Sequence, residues 1–268
     1  MTSTDREDPR ALGEWFHNLH LPDGRETAPD HWLGDFPRLK WDRIAARVPA
    51  DLTGWRCLDI GCNAGFYSFE LARRGGDVLG IDLDERYLAQ ARWAAERMGL
   101  ERTPRFERRQ VHELAGEDEP YDLVLFLGVF YHLRYPLLAL DTVARLVRRL
   151  LVFQSLTTDD EHVEPTIADP ALDYPLEERP VLTGPGWPRM AFIEHAFASD
   201  PTNWVVPDHA ALEALLRSTG FETIERIEHE TYLCAPPAGG VESRRWWDDE
   251  EWRGATGARP PWAGGAAG

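Results

Sequence analysis

The stretch that decides the fold of this chain is Arg56-Cys-Leu-Asp-Ile-Gly-Cys-Asn-Ala-Gly65. Its apolar residues predict a short buried strand, which leads through a glycine-containing turn directly into a helix. The acid Asp59 stands near the end of this strand. Gly61 and Gly65 flank the turn, and the missing Cβ atoms at these positions are expected to let the backbone approach a ligand. The stretch therefore predicts a ligand-binding turn in an α/β fold.

A second acid, Asp82, ends the next predicted strand in the run Gly80-Ile-Asp82. In doubly wound folds, an acid after the second strand characteristically holds a ribose by its hydroxyls. The dinucleotide pattern G-x-G-x-x-G is not matched, because Asn63 stands where a second glycine would be, and the chain has no G-K-[ST] phosphate loop. The turn and the two acids together suggest a nucleoside-bearing cofactor. The alternative is a tight strand–helix turn that binds nothing.

Composition restricts the partners and the location. The chain has 29 basic and 46 acidic residues and a net charge of −17, which disfavours long-range attraction to nucleic acid or anionic lipid. The sequence has no run of about 18 apolar residues and no charged-then-apolar leader, so we predict no membrane span and no secretion. The three cysteines, Cys57, Cys62 and Cys234, lack metal-ligand spacing. They suit a reducing cytoplasm.

The order of predicted elements indicates one α/β domain with additions. Five β/α units are followed by two strands that read as a hairpin, which predicts a doubly wound, seven-stranded, mostly parallel sheet with a terminal antiparallel strand pair. We predict an N-terminal arm and helix over residues 1–50, the α/β domain over 51–235 with an insert at 156–206, and a disordered tail over 236–268.

Four motifs resemble the class I S-adenosylmethionine (SAM) methyltransferases, and among them the subgroup of the tRNA wobble-uridine carboxymethyltransferases and their bacterial relatives. The motifs are Leu39-Lys-Trp-Asp-Arg43, Leu58-Asp-Ile-Gly-Cys-Asn-Ala-Gly-Phe-Tyr-Ser68, Gly128-Val-Phe-Tyr-His132 with Pro136, and Thr202-Asn-Trp-Val-Val-Pro207. They span most of residues 36–235. The resemblance implies a Rossmann-like methyltransferase fold, SAM as the cofactor and methyl transfer as the activity.

The resemblance also implies a set of cofactor contacts. The methionine end of SAM is expected at the turn after the first strand, the ribose at the acid after the second, and the adenine at the residues that follow the second and third strands. The predicted set is Asp59, Gly61, Asn63, Gly65, Asp82, Leu83, Val111, His112, Leu127 and Gly128. For Asp59 and Asp82 the alternative is an ordinary turn or capping acid.

The acceptor side is expected after the fourth strand and in the additions. Tyr131 is expected to close over the sulfonium, and His132 to take a proton from the acceptor. The alternative for His132 is that it only packs against its loop and hydrogen-bonds within it. Aromatic and polar residues of the arm and the insert are predicted to contact the substrate or, alternatively, to form a satellite core: His17, Asn18, Trp187, Glu194, His195 and Asn203. His17, Glu194 and His195 match no standard metal spacing, so no metal is predicted.

Some enzymes of the subgroup use carboxy-SAM, whose added carboxylate meets a lysine well upstream of the fold and an arginine near the last strand. This chain has no lysine before Lys40 and no arginine in the run His229-Glu-Thr-Tyr-Leu-Cys-Ala235, and it matches the carboxylate site only at Tyr131. Ordinary SAM is therefore predicted. The predicted function is methyl transfer to a small-molecule or sugar-like acceptor. The alternatives are modification of a tRNA wobble uridine, which the acidic charge disfavours, and SAM binding without catalysis.

Overall fold

The computed structural model describes residues 8–100, 102–158, 169, 172–238 and 246–258. The chain divides into two compact units. The first comprises Met1–Leu114 and Asp118–Phe126, and the second comprises Ala115–Glu117 and Leu127–Gly268.

The α-helices are α1 (Phe36–Ile44), α2 (Phe66–Arg73), α3 (Glu85–Arg97), α4 (Pro136–Arg145), α5 (His209–Ser218) and α6 (Trp246–Thr256). The strands are β1 (Arg56–Ile60), β2 (Asp77–Asp82), β3 (Arg105–Arg108), β4 (Tyr121–Leu127), β5 (Val147–Gln154), β6 (Met190–Phe192), β7 (Val205–Pro207), β8 (Thr223–Glu228) and β9 (Thr231–Ala235).

Seven strands form one sheet in the order β3-β2-β1-β4-β5-β9-β8. Strand β1 pairs in parallel with β2 on one side and with β4 on the other, and β9 pairs antiparallel with both β5 and β8. The predicted doubly wound sheet with a terminal antiparallel pair is confirmed. The order reverses between β1 and β4, and in open α/β sheets ligands bind at the carboxyl ends of the strands at such a switch point.

The first unit has its core on β1, β2 and β4, whose residues are mostly buried because both faces of these central strands are covered. Every residue of β4 is buried. The N-terminal arm belongs to this core. The side-chain amide of Gln90 on α3 donates to the carbonyl oxygens of Leu12 and Glu14 at 3.1 and 2.9 Å. Trp15 is 4% exposed and packs edge-on against Trp93 with 5.7 Å between the ring centroids.

The second unit packs α4 and α5 with β5 and β9, and its largest buried side chains include Phe130, Phe153 and Tyr232. Within the predicted insert, β6 and β7 form a short antiparallel pair, with Met190 opposite Pro207 and Phe192 opposite Val205. No described helix is both long and apolar enough to cross a membrane.

The tail differs from the expectation of disorder, because residues 246–256 form α6. The indole nitrogen of Trp252 donates to the Thr142 hydroxyl at 3.0 Å, and the Arg145 guanidinium lies 4.2 Å from the Trp252 ring centroid. Arg145 also pairs with Asp249 at 2.8 Å. Asp249 and Trp252 are three residues apart and share one helix face. Contacts with α4 therefore order a segment that its composition alone predicts to be disordered.

Candidate active site

The turn after β1 is closed by the carbonyl oxygen of Ile81 on β2, to which the main-chain amides of Gly61 and Cys62 donate at 2.8 and 3.0 Å. Gly61 has a φ of 70° and Asn63 a φ of 51°. Asparagine tolerates this left-handed region better than most residues with a side chain. The Asn63 side-chain oxygen accepts a hydrogen bond from the amide of Ala64 at 2.7 Å. Asn63 thus adopts the conformation that a second glycine would supply.

Gly65 serves packing inside the protein. Its φ is 88°, and a Cβ there would lie 2.9 Å from Phe69, 3.0 Å from Phe106 and 3.2 Å from Ala91. The expectation that its missing Cβ makes room for a ligand is wrong, because protein side chains fill that space. Gly65 instead lets α2, α3 and β3 pack closely beside the turn.

The carboxylate of Asp82 joins the turn after β1 to the loop after β2. Its Oδ2 accepts from the amide of Asn63 and its Oδ1 from the amide of Asp84, both at 2.9 Å. Burial raises its pKa, although the backbone hydrogen bonds act in the opposite direction. Each oxygen keeps a lone pair for a further donor, and the residue is half-buried. The geometry therefore fits two ribose hydroxyls. The neighbouring Leu83 is 49% exposed and offers an apolar surface.

Asp59 lies on β1 and is buried. Its Oδ2 accepts a hydrogen bond from the Ser68 hydroxyl at 2.6 Å. Burial raises its pKa from 3.8 to about 7, the bonds from Ser68 oppose this, and the charge of Asp82 adds to it. Near neutral pH the carboxyl group can therefore hold or release its proton. A cationic group bound nearby would favour the ionised form, which fits an ammonium ligand. Ser68 was not among the predicted site residues, although it stands in the quoted motif.

The remaining predicted cofactor residues follow β3 and β4. Val111 is buried and His112 half-buried, in a 3-10 turn that begins after β3 ends at Arg108. In the second unit, Leu127 is 8% exposed. Gly128 has a φ of 72° and donates its amide hydrogen to the Gln154 carbonyl oxygen at 3.2 Å.

The loop after β4 carries Tyr131 and His132 in a 3-10 turn, with 4.3 Å between their ring centroids. His132 Nδ1 lies 2.9 Å from the Thr202 hydroxyl oxygen, which lies 2.6 Å from Asp200 Oδ1. Burial lowers the pKa of His132, while Asp200 and Thr202 act to raise it. The imidazole is therefore neutral at pH 7. The predictions missed Asp200 and Thr202, although an Asp two residues before a Thr is a turn signal.

The Tyr131 hydroxyl lies close to the end of β5 and to the β8–β9 turn. A Cβ on Gly128 would lie 3.6 Å from both the Tyr131 hydroxyl and the Gln154 side-chain oxygen. The Gln154 side-chain amide donates to Glu230 at 2.8 Å. Burial raises the pKa of Tyr131 to about 12, and the charges of Glu230 and Asp200 contribute. Glu230 was not among the predicted site residues, although it stands in the quoted run His229–Ala235.

The predicted substrate residues of the insert lie in different environments. Asn203 is 5% exposed and donates to the carbonyl oxygen of Phe197 at 2.9 Å. Trp187 is half-buried and meets the ring of Tyr174 edge-on at 6.1 Å. The side chains of Glu194 and His195 are 81% and 88% exposed and lie 3.7 Å apart. Among the described residues, no three His, Cys, Asp or Glu side chains form a group that could hold a metal ion.

The predicted substrate residues of the arm are buried in the first unit. His17 is 5% exposed and lies edge-on to Phe66 and Tyr67, at 6.4 and 5.7 Å, where α2 begins. Burial lowers its pKa to about 3, with a smaller effect from Lys40. Both ends of the Asn18 amide are engaged inside the arm, one with Glu26 at 2.6 Å and one with the amide of Ala28 at 2.9 Å.

A domain-family match agrees with the topology. Residues 57–151 match a family model described as "Methyltransferase domain". This range begins in β1 and ends in β5, so it includes the turn, both acids and the Tyr131–His132 loop.

Curated relatives include proteins with two different names. The chain is 28% identical over 204 residues to a protein named tRNA U34 carboxymethyltransferase from Idiomarina loihiensis, covering 75% of this chain and 54% of that protein. It is 38% identical over 117 residues to a protein named ubiquinone biosynthesis O-methyltransferase from Alkalilimnicola ehrlichii, covering 43% and 46%. The chain thus spans about half the length of the curated relatives it matches.

Solved structures share the fold. The N-terminal domain of EvdMO1 with bound S-adenosylhomocysteine (SAH) is 20% identical, with a TM-score of 0.55 and coverage of 88% of this chain and 95% of that chain. Magnesium protoporphyrin IX methyltransferase from Synechocystis PCC 6803, with bound SAH, is also 20% identical. Its TM-score is 0.50, and the match covers 75% of this chain and 81% of that one.

Proposed function

We propose that this chain, whose residues 57–151 match a methyltransferase-domain family and whose sheet has the order β3-β2-β1-β4-β5-β9-β8, transfers a methyl group from SAM to a small-molecule or sugar-like acceptor. When bound, SAM supplies an electrophilic methyl group on a positively charged sulfur. The residues of this chain have to bind and orient the cofactor, hold the acceptor and accept its proton.

The ribose and the methionine part of the cofactor are assigned to the turn after β1 and to the two acids, all within the first unit. Asp82 accepts the ribose hydroxyls through the oxygen lone pairs that the amides of Asn63 and Asp84 leave free. Asp59 meets the ammonium of the methionine part, and its raised pKa means that cofactor binding near neutral pH releases a proton. Leu83 supplies an apolar surface for the adenine.

The observation that carries the proposal for the acceptor is the position of the His132 imidazole, whose Nδ1 lies 2.9 Å from the Thr202 hydroxyl oxygen. Burial lowers the pKa of His132 and so favours the neutral ring. A neutral imidazole can take a proton from a hydroxyl or amine at pH 7. The named relatives include an O-methyltransferase, which supports a hydroxyl acceptor. Phe192 and Phe197 are 59% and 48% exposed in the insert and supply apolar contact surface for a small molecule.

Ordinary SAM is proposed as the methyl donor. The negative charge of Glu230 helps to raise the pKa of the Tyr131 hydroxyl. A carboxylate added to the cofactor near Tyr131 would therefore be repelled by this like charge. Tyr131 itself is assigned to the sulfonium, because an aromatic ring face attracts positive charge.

The second candidate function is modification of a tRNA wobble uridine, which the relatives named tRNA U34 carboxymethyltransferase favour. The net charge of −17 opposes it, because tRNA binding relies on phosphate contacts with basic side chains. Arg134, in the loop after β4, does lie over the ring of Trp204 of the insert, with 4.5 Å to the centroid, but one arginine does not make the basic stripe that tRNA binding needs.

The experiment is a SAH-release assay with purified protein against sugars, phenols and amines in one set and bulk tRNA in another. The proposal expects SAH release with a small-molecule class and none with tRNA. His132→Ala should lower turnover by about 100-fold while leaving SAM affinity nearly unchanged. The control Arg217→Ala removes an exposed charge pair on α5 and should leave turnover intact. Release with tRNA alone, falling steeply as salt rises, would replace the proposal with the second candidate.

A further inference from the structure

The hydroxyl of Thr202 joins His132 to Asp200, and the direction of both hydrogen bonds follows from chemistry. Asp200 Oδ1 lies 2.6 Å from the Thr202 hydroxyl and 2.7 Å from the Thr202 amide. Burial acts to raise the pKa of Asp200, but the hydrogen bonds from Thr202 and the nearby His132 outweigh it, so its pKa lies below the usual value. Asp200 is therefore ionised at neutral pH and can only accept. The single hydroxyl hydrogen of Thr202 is thereby committed to Asp200.

The Thr202 oxygen must then accept a hydrogen bond from His132 Nδ1, which lies 2.9 Å away. Neutral imidazole carries one hydrogen, so with Nδ1 as the donor Nε2 holds the lone pair. We propose that Thr202 and Asp200 are positioning residues that hold His132 in its Nδ1–H tautomer and so make Nε2 the atom that accepts a proton. The role in the reaction rests on the proposed function, whereas the tautomer does not.

The proton balance is simple. The O–H or N–H bond of the acceptor breaks, its electron pair stays on the acceptor atom, and an N–H bond forms at Nε2 of His132. The imidazolium then carries a hydrogen on each nitrogen and keeps its hydrogen bond to Thr202. Asp200 Oδ2 lies 3.7 Å from Nδ1, where its negative charge stabilises the imidazolium. The Tyr131 ring beside it stays neutral, since its pKa is about 12.

The backbone holds Asp200 in place by a turn that is costly to form. Phe197 and Asp200 exchange main-chain hydrogen bonds of 3.2 and 3.0 Å across Ala198 and Ser199. These two residues have φ of 53° and 62°, as a type I′ turn requires, yet neither is glycine. Left-handed backbone is disfavoured for a residue with a side chain, because Cβ comes too close to the following carbonyl oxygen. Such conformations persist only where surrounding contacts enforce them and are enriched at functional sites.

Two further contacts fix Thr202 relative to His132. The amide of Trp204 donates to the Tyr131 carbonyl oxygen at 2.8 Å, which ties the segment before β7 to the loop that carries His132. The side chain of Asn203 donates to the carbonyl oxygen of Phe197 at 2.9 Å, which ties the same segment to the turn that carries Asp200. These two hydrogen bonds hold the segment that contains Thr202 next to both His132 and Asp200.

The tautomer can be measured without any acceptor. In protein with ¹⁵N-labelled histidine, His132 is assigned by the signals that vanish in His132→Gln, and its ring nitrogens are read at a pH where it is neutral. The expected result is Nδ1–H in the wild type and in Thr202→Ser, and a shift toward Nε2–H in Thr202→Val. A wild-type His132 that is mainly Nε2–H, or a Thr202→Val variant that keeps Nδ1–H, would overturn the proposal.

The pKa of His132 and the turnover number test the roles of Asp200 and Thr202. Removal of the Asp200 charge in Asp200→Asn should lower the pKa of His132 below its wild-type value, because Asp200 favours the protonated ring. Once an acceptor is known, Thr202→Val should lower kcat about tenfold or more with an unchanged KM for SAM, and Thr202→Ser should restore it. An unchanged pKa in Asp200→Asn contradicts the electrostatic part. An unchanged kcat in a Thr202→Val variant with an altered tautomer contradicts the catalytic part.

Discussion

The main-chain amide of Asn63 donates to the carboxylate of Asp82 at 2.9 Å. This hydrogen bond joins the turn after β1 to the end of β2, two segments that the parallel pairing of these strands brings to the same edge of the sheet. Asn63 makes this hydrogen bond in a left-handed conformation with a φ of 51°. The conformation of one asparagine and the position of one acid are therefore coupled, and both are assigned to the cofactor.

Asp82→Ala should weaken SAM binding by about 2–3 kcal/mol, because hydrogen bonds to a charged acceptor are lost. The measurement is calorimetric titration with SAM. Asp84→Ala is the matched control, since the Asp84 side chain caps α3 through the amide of Arg86 at 2.8 Å while its own amide still binds Asp82. An equally small loss in both variants would contradict the assignment of Asp82.

Asp59→Asn should make the free protein more stable at pH 8 and bind SAM more weakly. The folded pKa of Asp59 is about 7 and its reference value 3.8, so the unfolded chain releases this proton at lower pH than the folded one. The wild type therefore loses stability as pH rises from about 4 to 7. The Asp59→Asn variant does not, because its side-chain amide does not titrate. The free energy of unfolding of the variant should exceed that of the wild type by roughly 2–4 kcal/mol at pH 8, and the difference should vanish near pH 3.

Urea unfolding at several pH values measures this difference. The amide oxygen of the variant can still accept from Ser68, so packing is preserved and the charge alone changes. A stability difference independent of pH would show that Asp59 titrates normally.

Gly65→Ala should lower the free energy of unfolding by about 2–4 kcal/mol, because left-handed strain adds to a steric clash. A Cβ there would lie 2.9 Å from Phe69 and 3.0 Å from Phe106. Gly99→Ala is the control, since Gly99 has a φ of 69° but nothing within 4 Å of the added Cβ. It should cost only the strain, about 1 kcal/mol. Denaturant titration compares the two, and equal losses would show that the clash relaxes away.

Glu230→Gln should shift cofactor preference toward carboxy-SAM by about fivefold relative to SAM, because removing a negative charge near Tyr131 relieves repulsion of the added carboxylate. Competition binding measures the ratio in wild type and variant. Glu225→Gln, at an exposed glutamate of β8, makes the same change of net charge and should leave the ratio unaltered. A wild-type preference for carboxy-SAM would contradict the proposed donor.

The sequence was sufficient for the features that depend on local pattern. The run into Gly65 and the acid at Asp82 predicted the turn, the parallel strands and the fold class, since glycine turns and buried strands have strong local signatures. The reason expected for Gly65 was wrong, because its neighbours Phe106 and Ala91 come from β3 and α3. Local sequence does not show which side chains from distant segments meet at one position.

The tertiary structure alone decided the contacts between segments far apart in the chain. His132 and Thr202 are separated by 70 residues, and no periodicity relates them. The order of α6 likewise comes from Arg145 and Thr142 on α4, against a composition that predicts disorder. Local pattern determines which elements form, because backbone propensity and turn chemistry act over a few residues. The tautomer of His132 and the raised pKa of Asp59 depend on burial and on partners brought together by folding, so only the folded structure defines them.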